Sequence, residues 1–153
     1  MPNADPAALA VLAALGLAAC WFDVRERRLP NALVLVTLVA GLGLAGWRGG
    51  VEVLPWHLAH LAIALVVGIG LYALRALGAG DAKYYAALAA WFTLGEAIKL
   101  LMAVSFAGLV LALGWLAWRK FSGNPAPRKP QEDQDKVPFG VAMAAGAVLA
   151  LLY

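Results

Sequence analysis

The sequence has few charged residues and a single cysteine. Only 14% of its 153 residues are charged, whereas about a quarter are charged in soluble domains. The one cysteine, Cys20, excludes a disulfide within the chain and a cysteine cluster that could hold zinc. Lys and Arg are absent before Cys20, so this cysteine lacks the basic start of a lipoprotein signal. We therefore interpret Cys20 as part of an apolar helix.

A nucleic-acid partner is not expected either. The formal charge is +3, but the basic residues are scattered over short hydrophilic segments. No strip of alternating aromatic and basic residues accompanies them, as a nucleic-acid surface would require. The charge is better explained by loops that flank membrane spans.

Hydrophobic residues make up 63% of the chain and fall into six runs. A membrane span needs about 20 apolar residues and is helical, because hydrocarbon offers no partners to unpaired backbone groups. The sequence therefore predicts an all-α integral membrane protein with six transmembrane helices, forming one membrane-embedded domain over residues 1–153. The runs cover residues 7–22, 32–47, 56–77, 82–94, 97–118 and 137–153, and a hydrophilic loop covers about 119–136.

The distribution of Lys and Arg predicts the orientation of these spans. Ten of the twelve basic residues lie in the first, third and fifth loops, whereas Arg48 and Lys99 alone lie in the second and fourth. Cytoplasmic loops are enriched in basic residues. The odd loops are therefore expected to be cytoplasmic, with the N- and C-termini on the non-cytoplasmic side.

Two aspartates, Asp23 and Asp81, lie at the predicted cytoplasmic ends of the first and fourth runs. An ionisable residue at membrane depth is costly and usually functional. Two adjacent carboxylates can share one proton and activate a water, although the sequence does not assign which is the base. Run four spans only about 20 Å, short of the roughly 30 Å hydrocarbon core. We therefore hypothesise that Asp81 is recessed into the membrane.

Simpler interpretations of these acids remain open. Asp23 could be a surface acid at a helix end beside arginines, and Asp81 could be the N-cap of run four. Other chemistries have weaker support: His57 and His60 lie at the opposite end of run three, so no metal site is expected. Ser105 has no histidine or lysine nearby in the sequence.

Three patches resemble the type IV prepilin peptidases, membrane aspartyl proteases of the Gly-X-Gly-Asp type. The first patch is Asp23 followed by Arg27-Arg28-Leu29-Pro30-Asn31, and the second is Gly78-Ala79-Gly80-Asp81-Ala82-Lys83. The third is Pro138-Phe139-Gly140 at the start of the last run. Their order and spacing extend the resemblance over nearly the whole chain.

The resemblance implies that Asp23 and Asp81 are catalytic, without a metal or cofactor. It also implies supporting roles for the remaining motif residues: Gly78, Gly80, Lys83, Arg27, Pro30, Asn31, Pro138, Phe139 and Gly140. The expected reaction is removal of the basic leader from a prepilin at the cytoplasmic face of the bacterial inner membrane. The expected partners are that prepilin and the lipid bilayer.

Within the family, this chain is similar to the short, peptidase-only members that serve Flp/Tad-type pili. Members that also methylate their product have a cysteine-rich loop, whereas this chain has only Cys20, so methyltransferase activity is not expected. Archaeal preflagellin peptidases share the aspartate motifs and remain an alternative. Two other classes also remain open, a small proton-coupled membrane transporter and a non-catalytic membrane subunit of a secretion system.

Overall fold

The computed structural model describes residues 5–26, 28–121 and 139–153, and this part of the chain contains helices and no strands. Six α-helices follow one another, and a short 3₁₀ turn, Leu94–Glu96, precedes the fifth. In chain order they are α1 (Pro6–Glu26), α2 (Asn31–Gly49), α3 (Leu54–Ala73), α4 (Ala79–Ala89), α5 (Ala97–Phe121) and α6 (Phe139–Leu152).

Four of these helical segments are long and apolar enough to cross a membrane. They are α1, α2, α3 and the continuous segment Leu94–Phe121, which contains α5. Their large apolar side chains point mainly outward, as expected for surfaces in contact with lipid. The chain is therefore a multi-pass helical membrane protein.

The two shorter helices, α4 and α6, form the centre of the packing. α4 packs against α2, α3 and α6, while α6 packs against α1, α4 and α5. Almost every residue of α4 after Lys83 is buried. Both helices are rich in alanine and glycine, which lets neighbouring backbones approach closely. Most contacts in the interior are thus between small residues. Tyr84 and Phe92 are the largest fully buried side chains.

Neighbouring helices run in opposite directions, which fixes the residues that share an end of the bundle. Asp5, before α1, forms a 3.0 Å ion pair with Arg48 near the end of α2. At the opposite end of the bundle, Gly68 in the second half of α3 faces Ala82 at the start of α4. The end of α1 and the beginning of α4 consequently lie at the same end of the bundle.

The far end of α4 is held by side chains that donate hydrogen bonds to backbone carbonyl oxygens in place of water. His57 Nδ1 lies 2.9 Å from the carbonyl oxygen of Ala90, and His60 Nδ1 lies 3.1 Å from that of Phe92. Trp91 Nε1 donates to the carbonyl of Thr37 at 2.9 Å. Carbonyls left free where a helix ends must find partners when they are buried. The two histidines therefore terminate α4 and are structural.

Several predicted boundaries shift in the structure. α2 begins at Asn31, one residue before the predicted run of residues 32–47. α4 ends at Ala89 and is even shorter than the predicted run of residues 82–94. α5 continues to Phe121, so the first residues of the predicted 119–136 loop are helical. The rest of that loop lies outside the described residues.

Candidate active site

Asp23 lies in the last turn of α1 and is buried, with 8% of its surface exposed. Its Oδ2 accepts a hydrogen bond from the backbone N–H of Val141, at 3.3 Å. Val141 lies in the first turn of α6, where N–H groups have no partner within the helix and the helix dipole favours a negative charge. The interpretation of Asp23 as a surface acid is therefore wrong.

Gly140 makes this contact between α1 and α6 possible. A Cβ atom added at Gly140 would lie 2.8 Å from Asp23 Oδ2, 3.0 Å from its Cγ and 3.2 Å from its Cβ. These distances are too short for a real side chain, so only glycine lets the carboxylate lie against the start of α6. Gly140 therefore has a steric role that the sequence motif alone does not explain.

Asp81 is the third residue of α4, in its first turn. The N-cap is Gly78, and no side chain caps this helix end, so the interpretation of Asp81 as the N-cap is wrong. The Asp81 carboxylate folds back over Gly78: a Cβ atom at that position would lie 2.9 Å from Oδ2. Gly78 has φ −71° and ψ 148°, so the glycine is needed for space rather than for an unusual backbone conformation.

The two acids are close enough for their charges to interact, and the charge of Asp23 acts on the Asp81 carboxyl. Asp81 is half-buried, so both carboxylates lie at the edge of the packed interior rather than in bulk water. Two such groups do not easily ionise together, so the pair tends to hold one proton. The arrangement can therefore supply a base and an acid to one bound water.

One turn further into the bundle lie Cys20 on α1 and Tyr84 on α4. Cys20 precedes Asp23 by three residues, and Tyr84 follows Asp81 by three, so each lies on the same helix face as its aspartate. Electrostatic interactions connect Tyr84 with both Cys20 and Asp23. Tyr84 was not a sequence-predicted site residue, although its spacing from Asp81 was a usable signal.

The remaining motif residues differ in their exposure and in their contacts. Pro30 is the N-cap of α2, and Asn31 begins that helix as an exposed residue. Lys83 is exposed and forms no ion pair within the described part of the chain. Gly80 has open space around it, since a Cβ atom there would meet nothing within 4 Å. Arg27 and Pro138 lie outside the described residues.

Phe139 begins α6 and lies against Gly108 of α5 rather than beside the acids. A Cβ atom at Gly108 would lie 3.3 Å from the Phe139 ring. This contact anchors the start of α6, whose next residues hold Asp23. Phe139 therefore acts on the site through packing.

Fold and site together define a class: a multi-pass helical membrane protein with two acids at one end of its bundle. The family profile described as the type IV leader peptidase family matches residues 10–113, a range that contains both Asp23 and Asp81. The chain therefore belongs to the type IV leader peptidase family.

A curated relative agrees with this membership. Prepilin peptidase EppA of Methanococcus maripaludis is 28% identical to the chain over 76 residues. The aligned part is 50% of this chain but only 20% of that protein. No solved structure matches the chain.

Proposed function

We propose that this protein is an aspartyl endopeptidase that removes the basic leader peptide from prepilins. Asp23 and Asp81 hold one water between them. The ionised carboxylate takes a proton from that water as the water attacks the scissile carbonyl, and the other, protonated carboxyl group donates a hydrogen bond to the carbonyl oxygen. The C–N bond then breaks as the leaving nitrogen takes up the proton removed from the water. This two-carboxylate chemistry needs neither a metal nor a cofactor.

The observation that supports the proposal most strongly is the convergence of the two acids. They are 58 positions apart in the sequence, yet α1 and α4 bring them to one end of the bundle, where their charges interact. Asp23 is also buried against α6. Burial of a carboxylate among apolar helices is costly, which is easier to explain if the group has a chemical role.

The proposal places this end of the bundle at the cytoplasmic face of the bacterial inner membrane. All six helices then belong to one membrane-embedded domain, with the chain termini on the non-cytoplasmic side, in accord with the distribution of Lys and Arg. α4 has 11 residues and is only about 16 Å long. α4 is therefore shorter than the hydrocarbon core is thick. We place its first turn, which contains Asp81, below the cytoplasmic surface of the membrane.

This depth suits the proposed substrate. A prepilin has a basic leader followed by an apolar helix, which can lie in the bilayer beside the enzyme. The junction between the two then reaches the level of Asp23 and Asp81. The basic leader stays at the cytoplasmic surface, where a charged segment is solvated.

The proposal is tested by incubating the purified protein in detergent with a prepilin and determining the mass and N-terminus of the product. Asp23→Asn and Asp81→Asn variants run alongside, because an amide has nearly the shape of the acid but cannot exchange the proton. We expect leader removal by the wild type and a loss of at least about 10³-fold in each variant. Cleavage that survives in either variant would eliminate the shared-water mechanism.

The same assay distinguishes a peptidase from the other two classes of protein considered above. A proton-coupled transporter or a non-catalytic subunit leaves the prepilin uncut in every sample. Retention of the wild-type unfolding temperature in both variants establishes that any loss comes from chemistry rather than from misfolding.

A further inference from the structure

Tyr84 is a buried polar residue that the proposed mechanism has not used. Its side chain is completely buried, with 0% of its surface exposed. Among the described residues its hydroxyl oxygen has no hydrogen-bond partner. A buried hydroxyl without a partner is destabilising, and phenylalanine would fill nearly the same volume without that cost. The presence of tyrosine instead of phenylalanine at this position therefore indicates a role for the hydroxyl.

The position of Tyr84 suggests which group the hydroxyl serves. Tyr84 lies about 4.5 Å along α4 from Asp81, on the same face of that helix. α1 runs in the opposite direction, so Cys20 lies at about the same level and Asp23 lies one turn above. The electrostatic interactions of Tyr84 with Cys20 and Asp23 agree with this arrangement. Tyr84 thus lies one helical turn deeper in the bundle than Asp81, on the same face of α4.

We propose that the Tyr84 hydroxyl is a positioning group that donates a hydrogen bond to the Asp23 carboxylate when the site holds its substrate. This inference rests on the proposed peptidase function. The N–H of Val141 contacts Oδ2 of Asp23, and a carboxylate has lone pairs for several donors. Since Tyr84 is completely buried, it acts through Asp23 and does not itself contact the peptide.

Such a bond has two consequences for the reaction. It fixes the orientation of the Asp23 carboxylate toward the water that it shares with Asp81. It also favours the ionised form of Asp23, since a donor stabilises the charged carboxylate more than the neutral acid. Both effects operate on the chemical step and not on the initial binding of the prepilin.

The titratable side chains that interact electrostatically with Asp23 in the described part of the chain include Asp81 and Tyr84 from α4 and Cys20 from its own helix. Arg25 and Glu26 follow Asp23 at the end of α1. The segment Phe139–Leu152 of α6 contains no titratable side chain, and α2 contains only Arg48, near the far end of the bundle. A shift of the pH profile that occurs in Tyr84→Phe and is absent from Tyr85→Phe is attributable to the acid pair.

The test compares Tyr84→Phe with a matched Tyr85→Phe control. Tyr85 is the next residue of α4, is half-buried and packs against the same core. We expect Tyr84→Phe to lower kcat for prepilin cleavage by about tenfold or more with KM unchanged. This loss is smaller than the 10²–10³ that follows removal of a donor to the reacting oxygen itself. Tyr85→Phe should retain the wild-type kcat.

Two further readouts separate positioning from a purely structural role. In Tyr84→Phe, the acid limb of the rate–pH profile should move to higher pH, because the ionised carboxylate has lost a donor. The unfolding temperature should stay equal to the wild-type value or rise, because the buried hydroxyl without a partner is gone. A fall in kcat with a matching fall in unfolding temperature would overturn the inference.

The outcomes also separate this inference from the proposed function. If the wild type cleaves, Asp23→Asn does not, and Tyr84→Phe matches the wild type in kcat and pH profile, then the inference fails and the function stands. An equal loss in Tyr85→Phe also overturns the inference. If the wild type and Asp23→Asn behave alike, the peptidase mechanism fails and the role of Tyr84 fails with it.

Discussion

The substitution Gly140→Ala gives the sharpest steric test of the site. The added methyl group would lie 2.8 Å from Oδ2 of Asp23 and 3.2 Å from its Cβ. The collision thus involves the root of the side chain as well as its tip. Rotation of the carboxylate alone cannot relieve it, so α1 and α6 must separate by several tenths of an ångström.

This separation should affect both stability and activity. Forcing one extra carbon into a packed contact costs about 1–3 kcal/mol. The same movement lengthens the bond from Val141 N–H to Asp23, which is already 3.3 Å. Misplacing a reacting group by about 1 Å can reduce the rate by about 10²-fold. We therefore expect Gly140→Ala to reduce leader cleavage by about 10- to 100-fold.

The measurement combines cleavage kinetics with thermal unfolding of the purified protein in detergent. Gly43→Ala in α2 is the matched control, because a Cβ atom there meets nothing within 4 Å. Alanine is favoured over glycine within a helix by about 0.5–1 kcal/mol, so the control should be as stable as the wild type or slightly more so. A Gly140→Ala variant with wild-type kinetics and unfolding temperature would refute the placement of Asp23 against α6.

Two further predictions concern the two ends of α4. Gly78→Ala should lower cleavage, because the new methyl group displaces the tip of the Asp81 side chain. The loss of stability should be no more than about 1 kcal/mol, since alanine is less favourable than glycine at an N-cap. Gly80→Ala has open space and should retain more activity. Equal kinetics in these two variants would argue against the observed position of Asp81. His60→Leu should lower the free energy of unfolding by about 1–3 kcal/mol by leaving the buried carbonyl of Phe92 unpaired. An unchanged denaturation midpoint would contradict that role.

The sequence was sufficient to predict a helical membrane protein and to place the two acids at the same end of the bundle. Long apolar runs have few possible structures in a membrane, so the helices could be predicted with small errors at their ends. Because each run crosses the membrane in the direction opposite to the run before it, the end of the first run and the start of the fourth lie on the same side. Asp23 and Asp81 were therefore predicted at the same end of the bundle. Both steps depend on local composition and on connectivity, which are read directly from the chain.

Contacts between distant parts of the chain could not be read in this way. The sequence did not predict that the two shortest helices form the centre of the bundle or that Val141 donates to Asp23. It also did not predict that His57 and His60 bind the carbonyls at the end of α4. Each of these depends on how helices rotate and slide against one another, which is set by small residues spread over several runs.

The proximity of Asp23 and Asp81 is the central claim, and cross-linking tests it most directly. Both aspartates are replaced by cysteine in a Cys20→Ser background, and bifunctional thiol reagents of graded length are added to membranes. The account predicts an efficient link between positions 23 and 81 with the shortest reagent, detected by mass spectrometry. It predicts no link between positions 23 and 93, since Thr93 lies beyond the opposite end of α4. Failure of the 23–81 pair to link at any short length would contradict the account.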